Sequence, residues 1–264
     1  MSQSVVAVEA LEHDLAALGI PAGAGVLVHS SLSAVGRVED GADGLIDALL
    51  GVLGPAGTLV APTFSYRSAR FDPAATPGRT GAVGEALRRR PGAIRSLHPF
   101  YSVAALGPAA DELCRGHEHL PGTGLGSPLD RLAGSGGLVL LVGVGHESNT
   151  TIHVGEFHAA VPYLDVPFDP VWPTAAEIAG PTGPLHASYD RFAGCSRAFG
   201  VLEPRLRARG AVVDGPVGAA AAQVVSGSVV IDETVALLGK DPAALLCADP
   251  GCYRCRRARE RLAT

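Results

Sequence analysis

The chain has 264 residues, of which 47% are hydrophobic and 18% charged, with 34 glycines, 20 prolines and a formal net charge of -5. That is enough apolar material for one sizeable core and excludes a disordered chain, and the length fits one large domain or a core with a small subdomain. The mild acidity, with no basic patch outside the C-terminal end, argues against nucleic acid as a main partner and permits a cationic small molecule. No apolar run approaches the roughly 20 residues of a membrane-spanning helix, so no membrane association is expected. The N-terminus lacks a basic region followed by an apolar stretch and a cleavage site, which points to a cytoplasmic protein.

Apolar side chains at Val5, Val8, Leu11, Leu15 and Leu18 have helical spacing and predict an amphipathic helix over 4–18, ended by Gly19 and Pro21. Val26-Leu27-Val28-His29 reads as a buried strand that enters a Ser30-Ser31 turn before a helix over 43–53. Free N–H groups and hydroxyls there suit an anion, and turn contacts alone explain the two serines equally well. A second strand over 58–64 completes a βαβ unit. The polar, proline-interrupted stretch 65–79 is long for an idle loop. A short helix over 84–90, an extended segment over 94–98 and a strand ending at Gly107 follow. A helix over 108–114 comes next, then a helix opened by Ser127 as cap and Pro128 at its first position.

Leu138 to Val142 is a further buried strand, and past it lies the densest polar stretch of the chain, Gly145 to Glu156. Open α/β sheets place ligands beyond the carboxyl ends of such strands. Beyond residue 160 the pattern predicts two strands within 175–190 joined at Thr182-Gly183-Pro184. A helix over 203–209, a hairpin-like segment over 211–218, a strand over 223–230 and a closing helix over 232–239 complete the chain. The whole predicts an α/β fold with a mixed, mainly parallel central sheet flanked by helices and a small β-rich subdomain after residue 160. As a single domain it divides into a core of about 20–160 and 193–246, a substrate-side subdomain of about 161–192 and a basic cysteine-containing tail over 247–264.

Within the polar stretch His153 is the strongest candidate for a general base, because histidine alone titrates near operating pH and Glu156 follows it by three residues. His146-Glu147 lacks the spacing of a zinc protease. His117-Glu118-His119 lacks a third ligand of suitable spacing. Cys195 could act as a thiol nucleophile, but no histidine is placed beside it. Of Cys247, Cys252 and Cys255 the last pair has zinc-ribbon spacing, but a complete site needs a fourth ligand from a distant Cys or His, and reduced, unligated thiols are the simpler reading.

Five ordered blocks carry a family resemblance: Val26 to Gly36, Gly57 to Tyr66, His98 to Gly107, Gly126-Ser127-Pro128, and Gly145 to His153. Together they closely resemble the aminoglycoside 3-N-acetyltransferases, from about Ile20 to Phe192. The resemblance implies acetyl-CoA as co-substrate, no metal in catalysis, and His153 as base, oriented by Asp190 or Glu156. It implies that His29, Ser30, Ser31, Leu32, Val35, Gly36, Ser65, Val103, Ser127, Asn149 and Thr150 line the CoA site, and that Tyr66, Asp72, Glu156 and Asp190 meet a cationic amine. The implied partners are those two small molecules, in a monomer or homodimer. The chain departs from the family in the segment His186 to Phe192, where Asp190 is the single carboxylate of what is usually an acid-rich run. A different acceptor, such as an aminonucleotide or amino sugar, and a non-catalytic CoA-binding protein are the alternatives.

Overall fold

The computed structural model describes residues 5–180 and 183–264, so Ser4 and Thr182 of the expected first helix and hairpin turn lie outside the described residues. The first half of the chain forms β1 (Val5–Val6), α1 (Val8–Ala17), β2 (Gly25–Ser30), α2 (Leu32–Val35), β3 (Arg37–Val38), α3 (Ala42–Leu53), β4 (Thr58–Pro62) and β5 (Arg70–Phe71). It continues with α4 (Ala82–Leu87), β6 (Ile94–Arg95), β7 (Val103–Leu106), α5 (Ala110–Cys114) and α6 (Pro128–Gly134). The second half adds β8 (Leu138–Val142), α7 (Thr151–His158), β9 (Ala175–Ile178), β10 (Leu185–Ser188), α8 (Glu203–Ala208), β11 (Val212–Val217), β12 (Ala220–Ser226), α9 (Gly227–Leu238) and α10 (Tyr253–Leu262). None of these helices is long and apolar enough to cross a membrane.

The central sheet has seven strands in the order β11-β12-β8-β2-β4-β7-β6. Only β8, β2 and β4 run parallel, and the pairings outside them are antiparallel. The sheet is therefore mixed as expected but not mainly parallel, since its parallel part is confined to the centre. Alternation along the strands sends side chains to opposite faces. Val26, Val28, Leu59, Ala61, Leu140 and Val142 join an apolar layer with α1 and α3, while Leu27, Val60, Val139 and Leu141 face a larger layer containing Ile152, Val154 and Phe157 of α7 and Val230 of α9. That larger cluster also holds Tyr163, Trp172, Phe199, Leu245 and Cys255. The C-terminal stretch, a basic tail by its composition, is in part core: Arg254, Cys255 and Ala258 of α10 are buried.

The β-rich region after residue 160 is a hairpin, Leu185 opposite Ile178, to which β5 adds in parallel. At one edge of the central sheet, β11 and β12 form a hairpin whose turn has Gly218 at φ 59°, a conformation open to glycine at little cost. The strand expected over 223–230 ends at Ser226, because Val230, Thr234 and Leu238 recur at helical spacing and are buried on one face of α9.

Candidate active site

Strands β8, β2 and β4 end at one edge, with Ser30 opposite Val142, and a cleft of about 790 Å³ opens there. His29 and Ser30 of β2, Ser65 and Tyr66 after β4, and Asn149, Thr150 and His153 line it. His153 is the third residue of α7. It is brought to the cleft because the chain leaves β8, makes a 3₁₀ turn over His146–Ser148 and starts α7 directly. Asn149 ties this bend together: its amide donates to His146 Nδ1 (3.2 Å) and its carbonyl oxygen accepts from the Thr151 N–H (3.1 Å).

The His153 ring is 5% exposed, and its Nδ1 lies 2.6 Å from Oε2 of Glu156, itself 2% exposed. A carboxylate on Nδ1 fixes the proton there and leaves the Nε2 lone pair free to accept one. The edge of Phe199 meets the ring at 4.6 Å between centroids. Thr150 Oγ1 is 3.3 Å from His29 Nε2. Burial, and then the neighbouring His146, hold His29 down to about 3, so it is neutral at physiological pH. Burial likewise lowers His146.

Aromatic rings wall the cleft. Tyr66 stands edge-on to Phe64 (5.8 Å), Tyr101 (6.4 Å) and Trp172 (6.1 Å). Its backbone is left-handed, φ 54°, a conformation that a bulky residue adopts only when its surroundings enforce it. The enforcing contacts include its N–H, which donates to the Phe100 carbonyl at 3.1 Å.

Several expected site residues lie elsewhere. Asp190 is exposed beyond β10 and does not line the cleft, and the carboxylate on the His153 ring is Glu156. Asp72 accepts from the N–H groups of Ala74 (2.8 Å) and Ala75 (3.1 Å), so it shapes a turn. Val35 and Val103 are fully buried in the two apolar layers, and Ser127 caps α6 by accepting from the Asp130 N–H. Ser31 pairs its hydroxyl with Ser33 (3.2 Å), and it, Leu32 and Gly36 stand outside the lining, because α2 turns the chain away after Ser30. His117 and His119 share no site. His117 is buried between Ser96 (2.8 Å) and the Gly122 carbonyl (2.9 Å), while His119 faces solvent.

Glu147, Arg79, Arg197 and Phe199 line the cleft although no sequence signal singles them out for it. Glu147 belongs to the polar stretch, but its spacing gives it no role beside His153. Arg79 closes the long polar loop over 65–79, whose length marks the loop but not this residue. Phe199 gives none, because its role depends on the return of the chain after β10.

A histidine braced by a carboxylate thus lies at the strand-end cleft of a mixed α/β sheet, an arrangement suited to moving a proton. The family model for aminoglycoside 3-N-acetyltransferase matches residues 27–239. Aminoglycoside N(3)-acetyltransferase IV of Salmonella sp is 36% identical over 245 residues, covering 92% of this chain and 91% of that protein. Among solved structures, a histidine-to-alanine mutant of aminoglycoside acetyltransferase AAC(3)-IVa in complex with a gentamicin superposes with a TM-score of 0.88 at 35% identity, over 99% of both chains. AAC-IIIb, solved as a binary complex with CoASH, superposes with a TM-score of 0.78 at 30% identity, over 90% of this chain and 97% of that one. The chain belongs to the aminoglycoside 3-N-acetyltransferase family and is an acetyltransferase.

Proposed function

We propose that this enzyme moves the acetyl group of acetyl-CoA to the 3-amino group of a 2-deoxystreptamine aminoglycoside, with His153 as general base. The observation that carries the reading is the buried His153–Glu156 pair at the cleft, 2.6 Å apart. An alkylammonium has no lone pair with which to attack a thioester, so the acceptor reacts as its neutral amine, its first proton given to solvent, and that amine must shed a second proton as it bonds. With Nδ1 engaged by Glu156, His153 Nε2 takes a proton from the attacking nitrogen as the C–N bond forms. Collapse of the tetrahedral oxyanion breaks the C–S bond, and the CoA thiolate leaves. A donor to that oxyanion is required, and the Thr150 hydroxyl, 3.3 Å from neutral His29 and in the cleft lining, supports Thr150 in that role. The relative solved with CoASH and the histidine mutant solved with a gentamicin support the two substrates and the role of a histidine.

The cleft suits the CoA end of the reaction well. Arg67 and Arg197 pair with Asp169 and Asp249, and Arg79 forms no ion pair among the described residues. Glu147 is the one carboxylate among the described lining residues. That charge balance favours a polyanionic co-substrate over a polycation and supports a second reading of the acceptor, a less basic amine such as an aminonucleotide or amino sugar.

The test is acetyl-CoA consumption against a panel of aminoglycosides, amino sugars and aminonucleotides, run beside His153→Ala. The variant should lose about 10² to 10⁴ in kcat while still binding CoA. Full turnover by the variant would remove His153 from the mechanism. Transfer confined to non-aminoglycoside amines would replace the acceptor and leave the chemistry standing.

A further inference from the structure

The cysteine spacing that lacks a fourth ligand in sequence acquires one in the fold. Cys195 lies in the stretch between β10 and the 3₁₀ turn at Phe199, far before the others in the chain. Its sulfur and those of Cys247, Cys252 and Cys255 all lie within 4.8 Å of one another. In a tetrahedral zinc–tetrathiolate the sulfurs sit about 2.3 Å from the metal and so roughly 3.8 Å apart, which this cluster approaches closely. The sulfurs leave room for one ion and not for a polynuclear cluster, whose thiolates stand further apart around several irons. All four cysteines are free of disulfides.

Two further features fit bound thiolates. The Cys247 N–H donates to Cys255 Sγ at 3.3 Å, a bond that stabilises sulfur bearing negative charge. Four thiolates around one divalent ion leave a net negative charge, and Arg254, which directly precedes Cys255, places a cation next to one ligand in the chain. Arg254 is 1% exposed; Nη2 donates to the Phe192 carbonyl at 3.1 Å, and Nη1 is a buried donor without a partner among the described residues. Burying that cation costs less beside an anionic centre.

We propose that Cys195, Cys247, Cys252 and Cys255 bind one structural Zn²⁺. Tetrahedral all-sulfur donor sets select zinc or iron among common metals. The ion clamps α10 to the chain that runs from Cys195 to Phe199, and Phe199 is the ring against His153. It takes no part in acetyl transfer and holds one wall of the cleft in place.

The experiment begins with wild-type protein purified without chelator and assayed by elemental mass spectrometry. About one zinc per chain is expected for a closed four-ligand site. Apo protein reconstituted with Co²⁺ should show the intense visible bands of tetrahedral cobalt thiolate. Titration of wild type with an organomercurial should release the zinc as four thiols react. Cys252→Ser should lower the metal content to a small fraction of wild type. Cys114→Ser, which alters the one cysteine outside the cluster, should leave it unchanged. Metal-free wild type that folds and gives no cobalt–thiolate bands overturns the proposal. So does a disulfide between any two of the four found by mass spectrometry, and iron in place of zinc overturns the identity of the ion. Because cobalt uptake and mercurial release use the wild-type chain, a misfolded serine variant does not obscure the result.

Discussion

At the scale of single residues, two carboxylates compete in the sequence for the His153 ring, and three residues of separation decide between them. Positions i and i+3 share a helix face, so once Thr151 starts α7, Glu156 must lie against His153, at 2.6 Å. Asp190 reaches solvent instead. Glu156→Gln should therefore lower kcat by about 10² or more, because a neutral amide braces an imidazolium poorly and can donate to Nδ1, moving the ring proton to the nitrogen that must act as base. Asp190→Asn should leave kcat within about twofold, as expected of exposed charges away from such features. Steady-state kinetics on both variants decide the matter, and a large loss in Asp190→Asn with none in Glu156→Gln would reverse the roles. The histidine and its partner are legible because chemistry and helical spacing meet in one short stretch. Arg79, Phe199 and Arg197 are not, since loops and a distant return of the chain bring them to the cleft.

At the scale of elements, α7 is held by its packing on α9. A methyl added at Gly155 would lie 2.4 Å from the Thr234 Cβ, closer than packed carbons come. The backbones therefore approach where only glycine fits, in the same turn that carries Glu156. Gly155→Ala should cost about 1 to 3 kcal/mol by overpacking, seen as a lower midpoint in denaturant, and should weaken turnover by shifting the dyad. Unchanged stability would mean that α9 yields easily. Most buried strands are readable from apolar runs, and the capped α6 from Ser127 and Pro128. The start of α9 is not, because Val224-Val225 and Val229-Val230 look alike in an apolar run and only the later repeat of Thr234 and Leu238 shows the helical period. The antiparallel flanks of the sheet are illegible for a related reason: strand order is set by contacts between distant segments.

At the scale of the whole molecule, buried histidines make the fold sensitive to acid. Burial holds His29 and His117 down to about 3, and His98 also falls well below its ordinary value. The geometry agrees: His98 Nδ1 accepts from the N–H groups of Phe100 (3.2 Å) and Tyr101 (3.1 Å), which an imidazolium could not do. His29 and His117 each bind a proton near 6.5 in the unfolded chain and only near 3 in the folded one. Between these values the unfolded state holds more protons, so stability is fully present above about 6.5 and falls as pH drops, by about 1.4 kcal/mol per pH unit for each group. By pH 5 the loss should reach about 2 kcal/mol per histidine. The carboxyl of Glu85, which its hydrogen bond from Arg88 holds down to about 2, adds its share only below about 4.5. The interval from pH 7 to 5 therefore reports the histidines. Denaturant unfolding across it should show a steep fall, flattened by about 1.4 kcal/mol per pH unit in His117→Gln, a side chain that keeps a donor and an acceptor toward Ser96 and Gly122 but cannot titrate. Equal stability at pH 5 and pH 7.5 would show that these imidazoles can charge without unfolding the chain.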